Sequence, residues 1–390
     1  MVDSAARLKV AARANVPPFH VMDLLAASNR RQETHGDLLN LVAGQPSTGA
    51  PQPVVAEAKR LLDADVLGYT VASGVLPLRE AIAKHHSDTY DLDLTADDVV
   101  VTTGSSGGFL LAFLSAFEAG DQVVMANPGY PCYRNVLAAL GCEVVEIQCG
   151  ADTRFQPTLA QLQQLEGPID GLLIASPANP TGTMIDAAEL AQIARWCEDT
   201  GVRLISDEIY HGISYGPATS SSWQTSRSGI VFGSFSKYFS MTGWRLGWML
   251  VPEDLRRPVD VLAGNFTICP PTLSQHAAIA AFTDQSRIEL DGHVARYAKN
   301  RELLLGGLAD LGISKLAPAD GAFYVYADVS ELTNDSYAWC RKLLDDTGVA
   351  VAPGIDFDTQ RGNEFVRMSF AGSAEEIGAA LTRLGDWLPT

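Results

Sequence analysis

The chain has 390 residues, 47% of them hydrophobic and 19% charged, with a formal net charge of −18. That length can bury a sizeable core in one large or two moderate domains, and the acidic balance argues against non-specific nucleic-acid binding, which needs a basic surface. No apolar run reaches the roughly 18–20 residues that span a bilayer, and the N-terminal stretch lacks the apolar core of a signal peptide. The six cysteines show neither CxxC nor Cys/His ligand spacing. The expectation is a cytoplasmic, reduced chain without a membrane, nucleic-acid or metal partner.

In chain order, strand-like apolar runs occupy 99–102, 122–125, 143–146, 171–175, 202–206 and 230–232. Stretches between them, such as 187–196, place apolar residues three and four apart, as a helix requires. Nearly continuous apolar strands separated by helices predict a mostly parallel sheet covered by helices on both faces. Ligands in such folds sit at the carboxyl ends of the strands. Residues 288–309 read as one long helix, and 321–328 and 365–370 as strands of a smaller unit. The expected class is α/β: a large domain over 46–285, with a smaller α+β domain formed from both chain ends, 1–45 and 286–390.

Polar motifs follow the strands. After 99–102 comes Gly104-Ser105-Ser106-Gly-Gly108, running into an apolar helix-like stretch. Free N–H groups and hydroxyls at a helix start make a phosphate cradle, though a tight glycine turn accounts for the run equally well. It is neither a Walker A loop nor a GxGxxG fingerprint. After 122–125, Asn127-Pro-Gly-Tyr130-Pro-Cys-Tyr133 offers Tyr130 to stack on a planar ligand, although loop aromatics more often simply pack. After 171–175, Asn179-Pro-Thr-Gly182 presents an amide, or is only a turn.

The next strand end carries Asp207-Glu-Ile-Tyr210. An acid at the end of a buried strand is costly without a partner; a protonated pyridine nitrogen would suit Asp207, and Tyr210 could bond an oxygen on the same ring. After 230–232 follow Ser234-Phe-Ser-Lys237 and Gly-Trp-Arg245-Leu-Gly247. A partly desolvated lysine can form a Schiff base with an aldehyde, and an arginine can hold a phosphate or carboxylate. For one Lys/Arg pair alone, a solvated loop would be the better reading. In this order, however, the motifs supply a phosphate cradle, a ring stacker, an amide donor, a carboxylate for a ring nitrogen, a Schiff-base lysine and a basic anchor. Those are the groups a pyridoxal phosphate enzyme needs.

From Asn40-Leu-Val-Ala-Gly44-Gln-Pro46 to Phe365-Val-Arg367-Met-Ser-Phe370 the chain resembles the class I aminotransferases of the aspartate aminotransferase fold, fold type I of the pyridoxal phosphate enzymes. The resemblance is most specific in Asn179-Pro-Thr-Gly, Asp207-Glu-Ile-Tyr210 and the Lys237 and Arg245 motifs. It implies pyridoxal 5'-phosphate as cofactor. It also implies transfer of an amino group from an L-amino acid, aspartate or an apolar one, to a 2-oxo acid, with 2-oxoglutarate the expected acceptor. On this resemblance Lys237 binds the cofactor and shuttles the proton, Asp207 pairs with the pyridine nitrogen, and Tyr210 and Asn179 bond the phenolic oxygen. Tyr130 stacks on the ring, while Ser105, Ser106, Ser234 and Arg245 hold the phosphate. Arg367 clamps the substrate carboxylate, assisted by Asn179 and the Gly44 backbone; taken alone, Arg367 would read as a surface ion pair. Tyr69 matches a tyrosine that reaches the phosphate of a neighbouring subunit, which implies a homodimer with shared active sites.

Some points depart from the family pattern or stay open. The Gly104-Ser-Ser-Gly-Gly turn differs from the Ser-Gly-x-Gly and Gly-Gly-Lys forms common in the family, so the pairing of side chains with phosphate oxygens is undecided. The 263–271 stretch offers no second arginine for a distal carboxylate, and by analogy Asn15-Val-Pro-Pro-Phe19 would form part of an apolar cover. A lyase catalysing C–S β-elimination is an alternative, because these motifs bind the cofactor rather than choose the bond. A non-catalytic regulator is a remote one, since such proteins usually carry an appended, basic DNA-binding domain.

Overall fold

The six apolar runs between residues 99 and 234 lie side by side in one sheet, joined by a seventh strand that the sequence pattern did not mark. The computed structural model describes residues 8–64, 66–216 and 218–389. Its strands are β1 (Leu39–Asn40), β2 (Val99–Thr102), β3 (Gln122–Asn127), β4 (Glu143–Gln148), β5 (Gly171–Ala175), β6 (Arg203–Asp207), β7 (Ile230–Ser234), β8 (Gly247–Leu250), β9 (Tyr324–Asp328), β10 (Val349–Ala350), β11 (Ala352–Pro353) and β12 (Phe365–Ser369). The helices are α1 (His20–His35), α2 (Gln52–Ala64), α3 (Leu76–Tyr90), α4 (Gly104–Ala116), α5 (Pro131–Leu140), α6 (Leu159–Leu162), α7 (Ala187–Thr200), α8 (Glu253–Phe266), α9 (Thr272–Ala278), α10 (Asp284–Asp310), α11 (Ser336–Thr347) and α12 (Ala374–Trp387).

The large sheet has the order β2-β8-β7-β6-β5-β3-β4. Only β8 is antiparallel to its neighbours; the other pairings are parallel. Because β8 reverses the direction on both sides, β2 runs parallel to β7. The carboxyl ends of β2, β3, β5, β6 and β7, together with the start of β8, therefore share one edge of the sheet. The strand β8 escaped the sequence reading because its four residues follow the Arg245 turn directly, with no separating run.

Both faces of this sheet are covered, which is why its strands are continuously apolar rather than alternating. Val231 packs with Leu78 and Val101 on one face, and the next residue, Phe232, stacks on Phe109 of α4 on the other, with ring centroids 4.1 Å apart. The covering helices follow from local chemistry. In α7 the Asp186 side chain accepts from the Ala188 N–H, and Leu190, Ile193, Ala194 and Cys197 form the buried stripe. Gly201, at φ +76°, then ends the helix in a left-handed turn.

A second, antiparallel sheet has the order β11-β12-β9. Beside it β1 pairs in parallel with β10, so the segment before residue 41 joins elements from the other end of the chain. Leu24 of α1, Leu304 of α10, Phe323, Leu343 of α11 and Leu384 of α12 share its core. The expected class, a mostly parallel α/β sheet plus a smaller α+β unit drawn from both ends, is the one observed. Among the described residues no helix is long and apolar enough to cross a membrane.

Candidate active site

The shared edge of the large sheet opens into a cavity of about 740 Å³, bounded on the far side by α1, β1 and β12. Each motif contributes from the end of its own strand. The side chain of Lys237, three residues beyond β7, points into this space, and its Nζ donates to the Gly44 carbonyl at 2.7 Å. Burial, together with the positive charges of Arg367 and Arg245, lowers its pKa to about 8, against the opposing pull of Asp207. An ammonium so weakened is a free amine about a tenth of the time at pH 7, far more than an exposed lysine, and the free amine is the form a lysine nucleophile needs.

Asp207 ends β6 with 3% of its surface exposed. Its Oδ2 accepts from the Tyr133 hydroxyl and its Oδ1 from the Ile209 N–H at 3.0 Å. Burial raises its pKa to about 6, and the Tyr133 hydrogen bond pulls in the other direction. Among the described residues it forms no ion pair. The charge of Lys237 favours the carboxylate only weakly from a distance, and burial without a direct cationic partner outweighs it.

At the start of α4, Thr103 offers no side-chain cap and no acid occupies the first turn. Ser105 and Ser106 of its first turn line the cavity, where the positive end of the helix favours an anion. Gly104 has φ +66°, and a Cβ there would stand 2.6 Å from Arg245 Nη2. Glycine thus lets the guanidinium close over the helix start. Arg245 is held in turn by donating Nη1 to the Thr242 carbonyl at 3.0 Å.

Arg367 lies in the middle of β12, 2% exposed. Its Nη2 donates to the Val42 carbonyl at 2.8 Å and its Nη1 to Asn179 Oδ1 at 2.9 Å. Its guanidinium sits over the Tyr324 and Phe357 rings, 4.5 and 4.8 Å from their centroids. With Asn179 Oδ1 engaged in this way, the amide NH₂ remains a donor for the cavity. The Tyr210 hydroxyl meets that of Tyr324 at 2.7 Å. Tyr130 lines the cavity edge-on to Phe19 and Tyr133.

The structure therefore brings Gly44, Ser105, Ser106, Tyr130, Asn179, Tyr210, Lys237, Arg245 and Arg367 to one cavity, with Asp207 behind Tyr133. Two expected residues stand elsewhere. The Ser234 hydroxyl accepts from the Ser236 N–H at 3.1 Å and lies against a separate small cavity, while Ser236 reaches the main one. Tyr69 is 83% exposed and outside the cavity of its own chain. Sequence reasoning missed Tyr133, Ser236, Thr242 and Tyr324 as wall residues. Tyr133 and Ser236 lay within motifs already quoted, but nothing local marked their direction; Tyr324 sits in a strand that reads as core.

These features fit pyridoxal phosphate. The lone carboxylate of Asp207 suits a protonated ring nitrogen. The uncapped start of α4 with Arg245 suits the phosphate, and the weakened ammonium of Lys237 suits the aldehyde. The family model "Aminotransferase class I and II" matches residues 36–384. The chain belongs to that family and is a pyridoxal phosphate-dependent transaminase of the aspartate aminotransferase fold. A valine–pyruvate aminotransferase of Mycobacterium tuberculosis is 62% identical over 384 residues, covering 98% of this chain and 99% of that protein. The crystal structure of an aminotransferase from Mycobacterium tuberculosis superposes with a TM-score of 0.97 at 62% identity, covering 98% of this chain and 100% of that one. An aspartate aminotransferase from Thermus thermophilus, solved with maleate, gives a TM-score of 0.93 at 29% identity, covering 97% and 100%.

Proposed function

We propose that this transaminase takes its amino group from an apolar L-amino acid of about the size of valine and passes it to pyruvate. The observation that carries this reading is the charge inventory of the cavity. Its described cationic residues are Lys237, Arg245 and Arg367, and each already has a task in holding cofactor or α-carboxylate. Among the described residues no fourth cation faces the cavity to hold the distal carboxylate of aspartate or 2-oxoglutarate. One side of the wall is apolar, formed by Phe19, Val21, Met22 and Leu25, and the other lining residues there, among them Asn29, Asn40 and Gln45, are uncharged. The name of the 62% identical relative points the same way. The earlier expectation of 2-oxoglutarate has no comparable support.

The roles of the chain's residues follow from their positions. Asp207 would hold the ring nitrogen protonated, Tyr210 and the Asn179 NH₂ would bond the ring oxygen, and Tyr130 would lie along the ring. Ser105, Ser106, Ser236 and Arg245 would hold the phosphate, with the α4 N–H groups. Bound pyridoxal phosphate supplies an aldehyde for the amine and a sink for the electrons released at Cα. Arg367 fixes the substrate carboxylate, already oriented by Val42, Asn179 and the two rings beneath it. Lys237 takes the Cα proton and returns it, a task suited to an amine whose pKa lies near working pH.

The same reading includes a homodimer. Tyr69 stands in an exposed apolar patch with Val66 at 94%, Val71 at 61%, Phe266 at 54% and Ile268 at 50% exposure. A second copy covering that patch would let Tyr69 reach the phosphate of the other site. Residues 46–285 would form the cofactor-binding domain and the two flanking stretches the smaller one. A screen of amino donors against pyruvate, oxaloacetate and 2-oxoglutarate tests the substrate reading. Apolar donors with pyruvate should give the highest kcat/KM, and a preference for aspartate with 2-oxoglutarate would overturn it.

A further inference from the structure

The apolar side of the cavity is built on α1, and the start of α1 is held from the other end of the chain. Along this helix Val21, Leu24, Ala27 and Ser28 are buried in the core. Met22, Leu25 and Asn29, three and four residues apart, form a second stripe along the cavity. Phe19, just before the helix, reaches the same space. Yet Phe19 provides no side-chain cap for the helix start. Asp356 does so instead: its Oδ1 accepts from the His20 N–H at 2.9 Å and its Oδ2 from the Val21 N–H at 2.7 Å. The carboxylate is 2% exposed and 336 residues away in sequence.

The turn that carries Asp356 touches the rest of the site as well. The ring of the next residue, Phe357, lies under the Arg367 guanidinium. The Phe357 carbonyl accepts from the Gly129 N–H at 2.9 Å, next to Tyr130. The Asp356 carbonyl accepts from Arg134 of α5, the helix that begins directly after Tyr130. One turn thus sets the apolar wall, the carboxylate clamp and the ring-facing loop relative to one another.

We infer that Asp356 is a positioning residue for donor selection, fixing how far the Phe19, Met22 and Leu25 wall stands from Arg367 and so which side chain fits between them. The inference rests on the apolar-donor reading given above. Asp356 touches neither substrate nor cofactor. Losing it frees two N–H groups at the head of α1 and loosens the wall, while Arg367, Lys237 and Asp207 keep their own partners. A small donor such as alanine, which barely reaches the wall, should notice little.

The test compares full-length holoenzyme with Asp356→Ala and Asp356→Asn, the latter retaining one acceptor oxygen. The first readout is the donor half-reaction with valine and with alanine, followed by the cofactor's absorbance. For Asp356→Ala the half-saturating valine concentration should rise about five- to tenfold at a maximal rate changed by less than about threefold, with alanine almost unaffected and Asp356→Asn in between. The second readout is amide hydrogen exchange of the cofactor-free protein: exchange should quicken over residues 19–25 and stay unchanged over 104–116. Equal losses for valine and alanine, or unchanged exchange at the head of α1, would overturn the inference. A wild-type enzyme that rejects valine would instead sink the donor reading. The ratio of its largest accepted donor to alanine, in wild type and variants, would then decide the role of Asp356.

Discussion

Tyr133 donates its hydroxyl hydrogen to Asp207, so the buried carboxylate at the end of β6 has a neutral partner and, among the described residues, no cation within ion-pair distance. The fold holds a charge that is unfavourable until a protonated ring nitrogen arrives, and that has a measurable cost. Asp207 has its pKa raised from 3.8 to about 6. Between those values the folded cofactor-free protein keeps a proton that the unfolded chain has released. Its stability therefore falls as pH rises through that window, and the penalty is complete above it. Asp207→Asn should raise the unfolding free energy of the cofactor-free protein at neutral pH by on the order of 2 kcal/mol. The gain should shrink as pH is lowered through 6. The same variant should retain cofactor yet lose turnover by about 10²-fold or more. Thermal melts across pH check the first statement; a variant no more stable than wild type at neutral pH would refute it.

For Lys237, the low pKa makes the capture of cofactor by the cofactor-free protein pH-dependent. The free amine is the reactive form, so the capture rate should rise with pH and reach half its plateau near pH 8, the value burial and the two arginines impose. Stopped-flow absorbance reads this directly. A midpoint near that of an exposed lysine would show that the amine is not desolvated. Lys237→Ala should abolish transamination.

Arg367→Lys removes a planar group that bonds Val42 and Asn179 while lying over two aromatic rings. A lysine ammonium offers neither the fork nor the stacking face. Half-saturating concentrations of every donor and acceptor should rise on the order of 10²-fold, because the α-carboxylate is common to all of them. Weakening confined to one substrate would assign the carboxylate to another group.

The two serines flanking Phe235 should separate. Ser236→Ala should weaken cofactor binding by about ten- to hundredfold, the value of one lost hydrogen bond to a charged group. Ser234→Ala, whose hydroxyl turns to the Ser236 N–H, should leave cofactor affinity almost unchanged. Equilibrium titration of both variants decides this, and the opposite ranking would restore the expectation drawn from the motif.

Much of the site was legible in the sequence because each motif sits at the end of an apolar run, and a parallel sheet gathers such ends on one edge. Lys237, Asn179 and Arg245 could be assigned to one cavity, with Asp207 beside it, for that reason. What escaped depends on contacts between distant segments. Tyr133 finds Asp207 only after α5 packs against β4 and α4, and Tyr324 of β9 meets Tyr210, 114 residues away in sequence. Asp356 caps a helix that begins at His20, and no local pattern announces a cap supplied from so far away. The two serines beside Phe235 show the same limit: a motif gives the order of the residues but not which of them lines the cavity, where Ser236 stands.

The central claim is that one cavity moves an amino group from an apolar amino acid to pyruvate. Valine labelled with heavy nitrogen, incubated with purified holoenzyme and pyruvate, tests it most directly. The expected result is labelled alanine in equal amount to 3-methyl-2-oxobutanoate, with no free ammonia and no transfer in Lys237→Ala. Label released as ammonia, or no transfer from valine alongside rapid exchange between aspartate and 2-oxoglutarate, would contradict it.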